Sequence, residues 1–291
     1  MIKKVLAVAL IATSLISTSC KKTEMEMEVK NNLTLDVKGL DPLGSDFVYE
    51  GWIIVDGKPI STGTFSDVMF PKSFTVDVNS LKMATKFVVT IEPKNDTDPK
   101  PSATKILAGA FNGGTAAIET GIVGDFSKST GAYILATPTN GGNTDENSGI
   151  WFLKPPLPPV AGLEKLPELK GWKYEGWVVI NGTPVSTGKF DMAAQSDEFD
   201  GFSSTMPLPN VNGNDGFFPG EDFLVNAPAG MTFPLDLSGA KAVITVEPNP
   251  DNSPMPFTFK PLVGAIPTGA MDHHIYNMNY NPIKVTGSAK R

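Results

Sequence analysis

Past residue 20 the chain alternates short apolar runs with turn residues, and no stretch carries a sustained helical period. "LTLDVKGL" from Leu33 alternates apolar and polar positions, the period of a half-buried strand. "WIIV" and "WVVI" are aromatic and β-branched, as buried strands tend to be. Each leads into Asp56-Gly57 or Asn181-Gly182, dipeptides that accept the positive φ angles of a two-residue type I′ turn, so each predicts a β-hairpin. Pro59 and Pro184 fall just past the turns, where a strand can begin without a donor. "KFVVTIEP" from Lys86 and "KAVITVEP" from Lys241 predict strands that stop at proline, and "TAAIET", "GAYILATP" and "SGIWFLKP" predict further short ones. Regularly spaced short strands between Gly/Pro turns predict an all-β fold of two tandem antiparallel β-sandwich domains.

The pattern repeats. "YEGWIIVDGKPISTGTF" from Tyr49 and "YEGWVVINGTPVSTGKF" from Tyr174 are identical at ten of seventeen positions, and four more exchange Ile and Val. A second block pairs "KFVVTIEPKNDTDPKPSATKILAGA" from Lys86 with "KAVITVEPNPDNSPMPFTFKPLVGA" from Lys241. The offset is 125 residues in the first block and 155 in the second, so the second copy carries about thirty extra residues, at about 193–232. The expected organisation is a leader over 1–19, a tether over 20–31 and a first repeat over 32–119. Connecting strands and a stiff Pro-rich linker over 120–170 then lead to a second repeat over 171–291.

Composition changes the picture chiefly at the N-terminus. Lys3 and Lys4 precede a twelve-residue apolar run, Val5–Ile16, too short to span a bilayer. "STSC" follows, ending at Cys20, the only cysteine. The segment resembles a bacterial lipoprotein lipobox, with Ser17 where that pattern usually has Leu. The resemblance implies lipid attachment at Cys20, a membrane held through the N-terminal lipid, and a cell-envelope location. Lys21 in place of Asp implies the outer membrane and leaves its face open. With Cys20 so used, no disulfide is expected within the chain. The net charge of −7 and the absence of a basic stripe argue against nucleic acid as a partner.

The Y-E-G-W-x3-[DN]-G-x-P-x-S-T-G hairpin, with the x-V-x3-EP strand and its spaced prolines, resembles the anti-sigma-K factor C-terminal domain family. The middle stretch, "GAYILATPTNGGNTDENSGIWFL", is similar to two-copy lipoproteins of Bacteroidota. The resemblance spans most of residues 30–270 and implies an extracytoplasmic β-sandwich. Members usually carry a sigma-binding segment and a transmembrane helix ahead of this domain. Neither is seen here, so no cytoplasmic sigma factor is expected as a partner.

Candidate chemistry is sparse, and neither catalysis nor a cofactor is expected. His273 and His274 are adjacent and would face opposite sides of a strand. No nucleophile elbow, phosphate loop or zinc motif occurs. Glu50 shares a face with Trp52, and Glu175 with Trp177, so each carboxylate is expected to be paired. Lys105 and Lys260 are candidate partners; the sharper reading is a polar handle beside an aromatic platform that binds a glycan. The insert, with Phe217 and Phe218, is either a flap over its own domain or a binding loop. "NVNGNDGFFPGE" (Asn210 to Glu221) faintly resembles a calcium loop but lacks its early carboxylates and turn glycine, so no metal is expected. The expected function is a non-catalytic binding, sensing or structural module at the envelope, with an envelope protein or glycan as partner. The alternatives are an extracytoplasmic partner in an anti-sigma system and a carbohydrate-binding accessory lipoprotein.

Overall fold

The computed structural model describes residues 30–156, 158–204, 218–251 and 253–291. The expected lipid site, Cys20, and the candidate Phe217 lie outside the described residues, as does most of the faint calcium loop.

The chain is nearly all β and folds into two antiparallel sheets of eight strands. In chain order come β1 (Lys30–Lys38), β2 (Phe47–Val55), β3 (Lys58–Phe65), β4 (Lys72–Asp77), β5 (Lys86–Pro93), β6 (Lys105–Asn112) and β7 (Thr115–Glu119). Then follow β8 (Gly131–Leu135), β9 (Gly149–Trp151) and a small hairpin of β10 (Leu153–Lys154) and β11 (Val160–Ala161). The second copy supplies β12 (Trp172–Ile180), β13 (Thr183–Phe190), β14 (Gly220–Asp222), β15 (Lys241–Pro248), β16 (Leu262–Ala265) and β17 (Tyr276–Tyr280). The last strand is β18 (Thr286–Lys290).

The first sheet runs β3-β2-β5-β6-β7-β18-β1-β4 and the second β13-β12-β15-β16-β17-β8-β9-β14. Each curls until its edge strands approach one another. In the first, Phe65 of β3 lies 6.0 Å from Phe74 of β4. Both hairpin turns have the expected geometry: Asp56 and Gly57 sit at φ 48° and 75°, Asn181 and Gly182 at 49° and 88°.

Position by position the two orders are the same, with β18 of the first sheet standing where β8 stands in the second. The repeats therefore exchange a strand. β7 leads on to β8, which pairs with β17, whereas β17 leads on to β18, which pairs with β7. The sheets thus cross the expected divisions. Residues 131–135 and 149–151, expected in the connector, supply two strands of the second sheet, and residues 286–290, expected in the second repeat, complete the first.

The Pro-rich connection is packed rather than free. Ala132 N donates to Gly162 O at 2.9 Å, and Glu164 N to Thr130 O at 2.9 Å. One contiguous apolar core runs through both halves. Tyr49 stacks on Phe65 at 5.3 Å, and their counterparts Tyr174 and Phe190 stack at 5.5 Å. The two halves also meet through Thr104, whose hydroxyl donates to Gly171 O at 2.7 Å. Helix α1 (Val78–Met83), too short to leave a periodic signal, is capped by Asp77, which accepts from Ser80 N at 2.7 Å. Among the described residues no helix is long and apolar enough to cross a membrane.

Candidate functional site

Glu50 and Trp52 lie on β2, Glu175 and Trp177 on β12, beside the long β5 and β15 strands that carry the second repeated block. Both tryptophans are buried, at 3% and 2% exposure, so neither indole face is open as a platform. Trp52 Nε1 donates to Thr90 Oγ1 at 2.8 Å, and Trp177 Nε1 to Thr245 Oγ1 at 2.9 Å. Thr90 in turn donates to Glu92, whose Oε1 also accepts from Ser102 N at 2.9 Å. Glu247, the counterpart of Glu92, accepts from Phe257 N at 2.9 Å. Each half therefore carries one indole–hydroxyl–carboxylate chain across the β2/β5 or β12/β15 ladder. Burial raises Glu92, and the Thr90 and Ser102 bonds act against it.

The first-block glutamates are held by serines. Ser61 Oγ donates to Glu50, and Ser186 Oγ to Glu175 at 2.5 Å. Lys105 and Lys260, the expected partners, turn instead to backbone carbonyls: Lys105 Nζ to Ser102 O at 3.1 Å and Lys260 Nζ to Phe257 O at 2.6 Å. The reason is strand order. Glu50 stands opposite Thr64 and Glu175 opposite Lys189 on the hairpin side, while β5 and β15 intervene between these glutamates and the later lysines, Lys105 lying across Thr90 from Glu50.

The two halves differ where Thr64 is replaced by Lys189. Lys189 Nζ lies 2.9 Å from Asp251 Oδ2 and faces Glu175 across the hairpin. One carboxylate oxygen each from Glu175, Glu247 and Asp251 lie within 4.8 Å of one another, so these residues could hold a metal ion. Burial pushes both Glu175 and Glu247 up to about 7; Ser186 and Lys189 counteract it at Glu175, and Thr245 and Phe257 N at Glu247. Lys189 is held above its ordinary value: burial pulls it down, and the bond and charge of Asp251, with Glu175 and Glu247, outweigh that. Sequence reasoning passed over Lys189, Glu247 and Asp251. The available signal was the Thr-to-Lys change opposite a repeated glutamate.

The insert is a flap over its own domain across its described parts. Phe218, a candidate binding residue, is 6% exposed and packs with Ile134, Ala136, Trp151 and Leu153. Phe223 is fully buried beside Phe202 and Phe233. The insert also supplies β14, the eighth strand, and ties it down with carboxyls. Asp222 accepts from Thr139 N at 2.7 Å, Thr139 Oγ1 at 2.5 Å and Trp151 Nε1 at 2.9 Å. Asp197 accepts from Gly220 N at 2.8 Å, and Ser203 Oγ donates to Glu221 Oε1 at 2.5 Å. Burial drives all three up, Asp197 to about 7, Glu221 to about 9 and Asp222 to about 6. His273 and His274 are exposed, and His273 Nδ1 lies 3.2 Å from Asp272.

Residues 22–105 match the family model described as anti-sigma-K factor rskA, C-terminal. The matched stretch contains β1 to β5 and ends at the first residue of β6, well short of the span from 30 to 270 that the motifs suggest. No curated protein and no solved structure matches the chain significantly.

Proposed function

We propose that the protein is a non-catalytic, lipid-anchored envelope protein whose β domains act as an extracytoplasmic partner in anti-sigma-type signalling. The observation that carries this reading is the match of residues 22–105 to an anti-sigma factor C-terminal domain. The lipobox-like segment ending at Cys20 supports attachment to a membrane from outside the cytoplasm. The hydrogen-bonded Glu–Trp chains of both repeats favour a scaffold over an open catalytic cleft.

The test is fractionation of cells expressing the full chain with a photocrosslinking residue at Ile60, an exposed site on β3, beside a C20A variant. The reading predicts palmitate label and membrane retention that C20A abolishes, and a crosslink to an integral-membrane regulator. A wild-type chain that is unlabelled and freely soluble overturns the anchor. Crosslinks confined to uptake proteins or glycan overturn the signalling role.

A further inference from the structure

The acids of the second half form a closed buried group that the first half lacks. Glu175 and Glu247 rise from adjacent strands, and Asp251 follows in the turn after β15. Lys189 is the one cation the pKa balance of Glu175 shows. Fully ionised, the three carboxylates face Lys189 and, at Glu247, the half-buried Lys260, which still leaves net negative charge in a buried place, and that is costly. Glu175, 5% exposed, has one oxygen bound by Ser186, while its Oε2 is buried and receives no donor. That oxygen is open to a cation.

We infer that Glu175, Glu247 and Asp251 form a binding site for a hard divalent cation such as calcium. Charge supports a cation, since the three carboxylates outnumber Lys189 and Lys260, and an all-oxygen donor set suits a hard divalent ion such as calcium. Size admits calcium. Three oxygens within 4.8 Å of one another leave an ion between them no more than about 2.8 Å from each, a limit that includes calcium–oxygen distances of about 2.3–2.6 Å. Access is provided by Asp251, which also lines a cleft of about 450 Å³ between Leu43 and Phe47 of the first half and Pro248 and Phe257 of the second. Water entering by that cleft completes the six to eight oxygens that calcium prefers. The matching positions of the first half are Glu50, Glu92 and Asp96, with Thr64 for Lys189; Asp96 and Thr64 are exposed, which makes that half an internal control.

The inference is independent of the signalling role. It is tested by calorimetric titration of calcium chloride into chelator-treated full-length protein in detergent, at pH 7, in two buffers of different ionisation enthalpy. The expected result is one site with proton release, because bound carboxylates must be ionised. Binding should weaken at least tenfold in Glu175→Gln and in Asp251→Asn and stay unchanged in Asp96→Asn. Asp251→Asn lies in a turn and keeps the test valid if Glu175→Gln does not fold. Absence of binding by the folded wild type overturns the inference, as does binding that survives in Asp251→Asn.

Discussion

Thr34 of β1 lies directly opposite Lys290 of β18, so the first sheet is completed by residues from the far end of the described chain. On its other flank β18 pairs with β7, Thr286 opposite Glu119. Arg291 then caps the end of α1, its Nη1 donating to Leu81 O at 2.6 Å and Ala84 O at 2.7 Å, while its guanidinium stacks 4.3 Å from the centre of the Phe111 ring.

Removing residues 286–291 leaves β7 and β1 with facing, unpaired edges and uncaps α1. The melting temperature should fall by roughly 10 °C or more, on a scale of about 2–4 °C per kcal/mol for a chain of this size. A peptide spanning Ile283 to Arg291 should restore much of the loss by adding back the strand. Calorimetry with and without the peptide checks this; an unchanged melting temperature in the truncated chain would mean that the exchanged strand contributes nothing.

Thr90 and Thr245 do the same task in the two halves, accepting a buried indole N–H. Replacing either by valine keeps the shape and orphans the donor, at a cost of about 1–3 kcal/mol. The two variants should show similar losses in urea titrations and a shifted tryptophan emission. A loss in only one half would show that the other chain of hydrogen bonds is dispensable.

The pH dependence follows from five carboxyls, the buried Glu175, Glu221, Asp222 and Glu247 and the half-buried Asp197, all raised by desolvation. A raised carboxyl is protonated in the folded chain where the unfolded chain has already lost its proton. Its stabilising contribution is complete below the unfolded value near 4.3 and is lost as pH rises through the folded one. Stability should therefore fall from pH 5 to pH 9, with Glu221, raised to about 9, responsible for the upper part of the window. Glu221→Gln should flatten the profile between pH 7 and 9. A profile that is flat in the wild type, or equally steep in Glu221→Gln, refutes the assignment.

The hairpins were legible because Asp-Gly and Asn-Gly constrain backbone angles locally, and β5 and β15 run over the very residues of "KFVVTIEP" and "KAVITVEP". The strand exchange was not. β18 is "TGSAK", a run of small and polar residues with no apolar alternation, and it becomes a strand because two neighbouring edges require one. The partners of Glu50 and Glu175 were missed for a related reason. Reading along one strand names the face a residue shares but not its neighbours on the next strand, and β3 and β13 supplied Ser61 and Ser186, which stand opposite Trp52 and Trp177, in place of the lysines. Phe218 shows the same limit, since an aromatic in a long insert looks free until the insert folds back over Trp151.

Gly176, the glycine of the repeated Tyr-Glu-Gly-Trp, is required by space. A Cβ there would lie 2.2 Å from Thr187 Oγ1 and 2.8 Å from the Phe152 ring. Gly51 is crowded alike, 2.5 Å from Thr62 Oγ1 and 2.9 Å from the Phe87 ring. Gly176→Ala should destabilise the chain by about 1–3 kcal/mol through overpacking. Because the nearest atom is a hydroxyl, Thr187→Ala should relieve part of that clash, and a double-mutant cycle should show a favourable coupling of about 0.5 kcal/mol or more. Strictly additive losses in denaturant titrations would mean that the Phe152 ring, and not Thr187, sets the limit at this position.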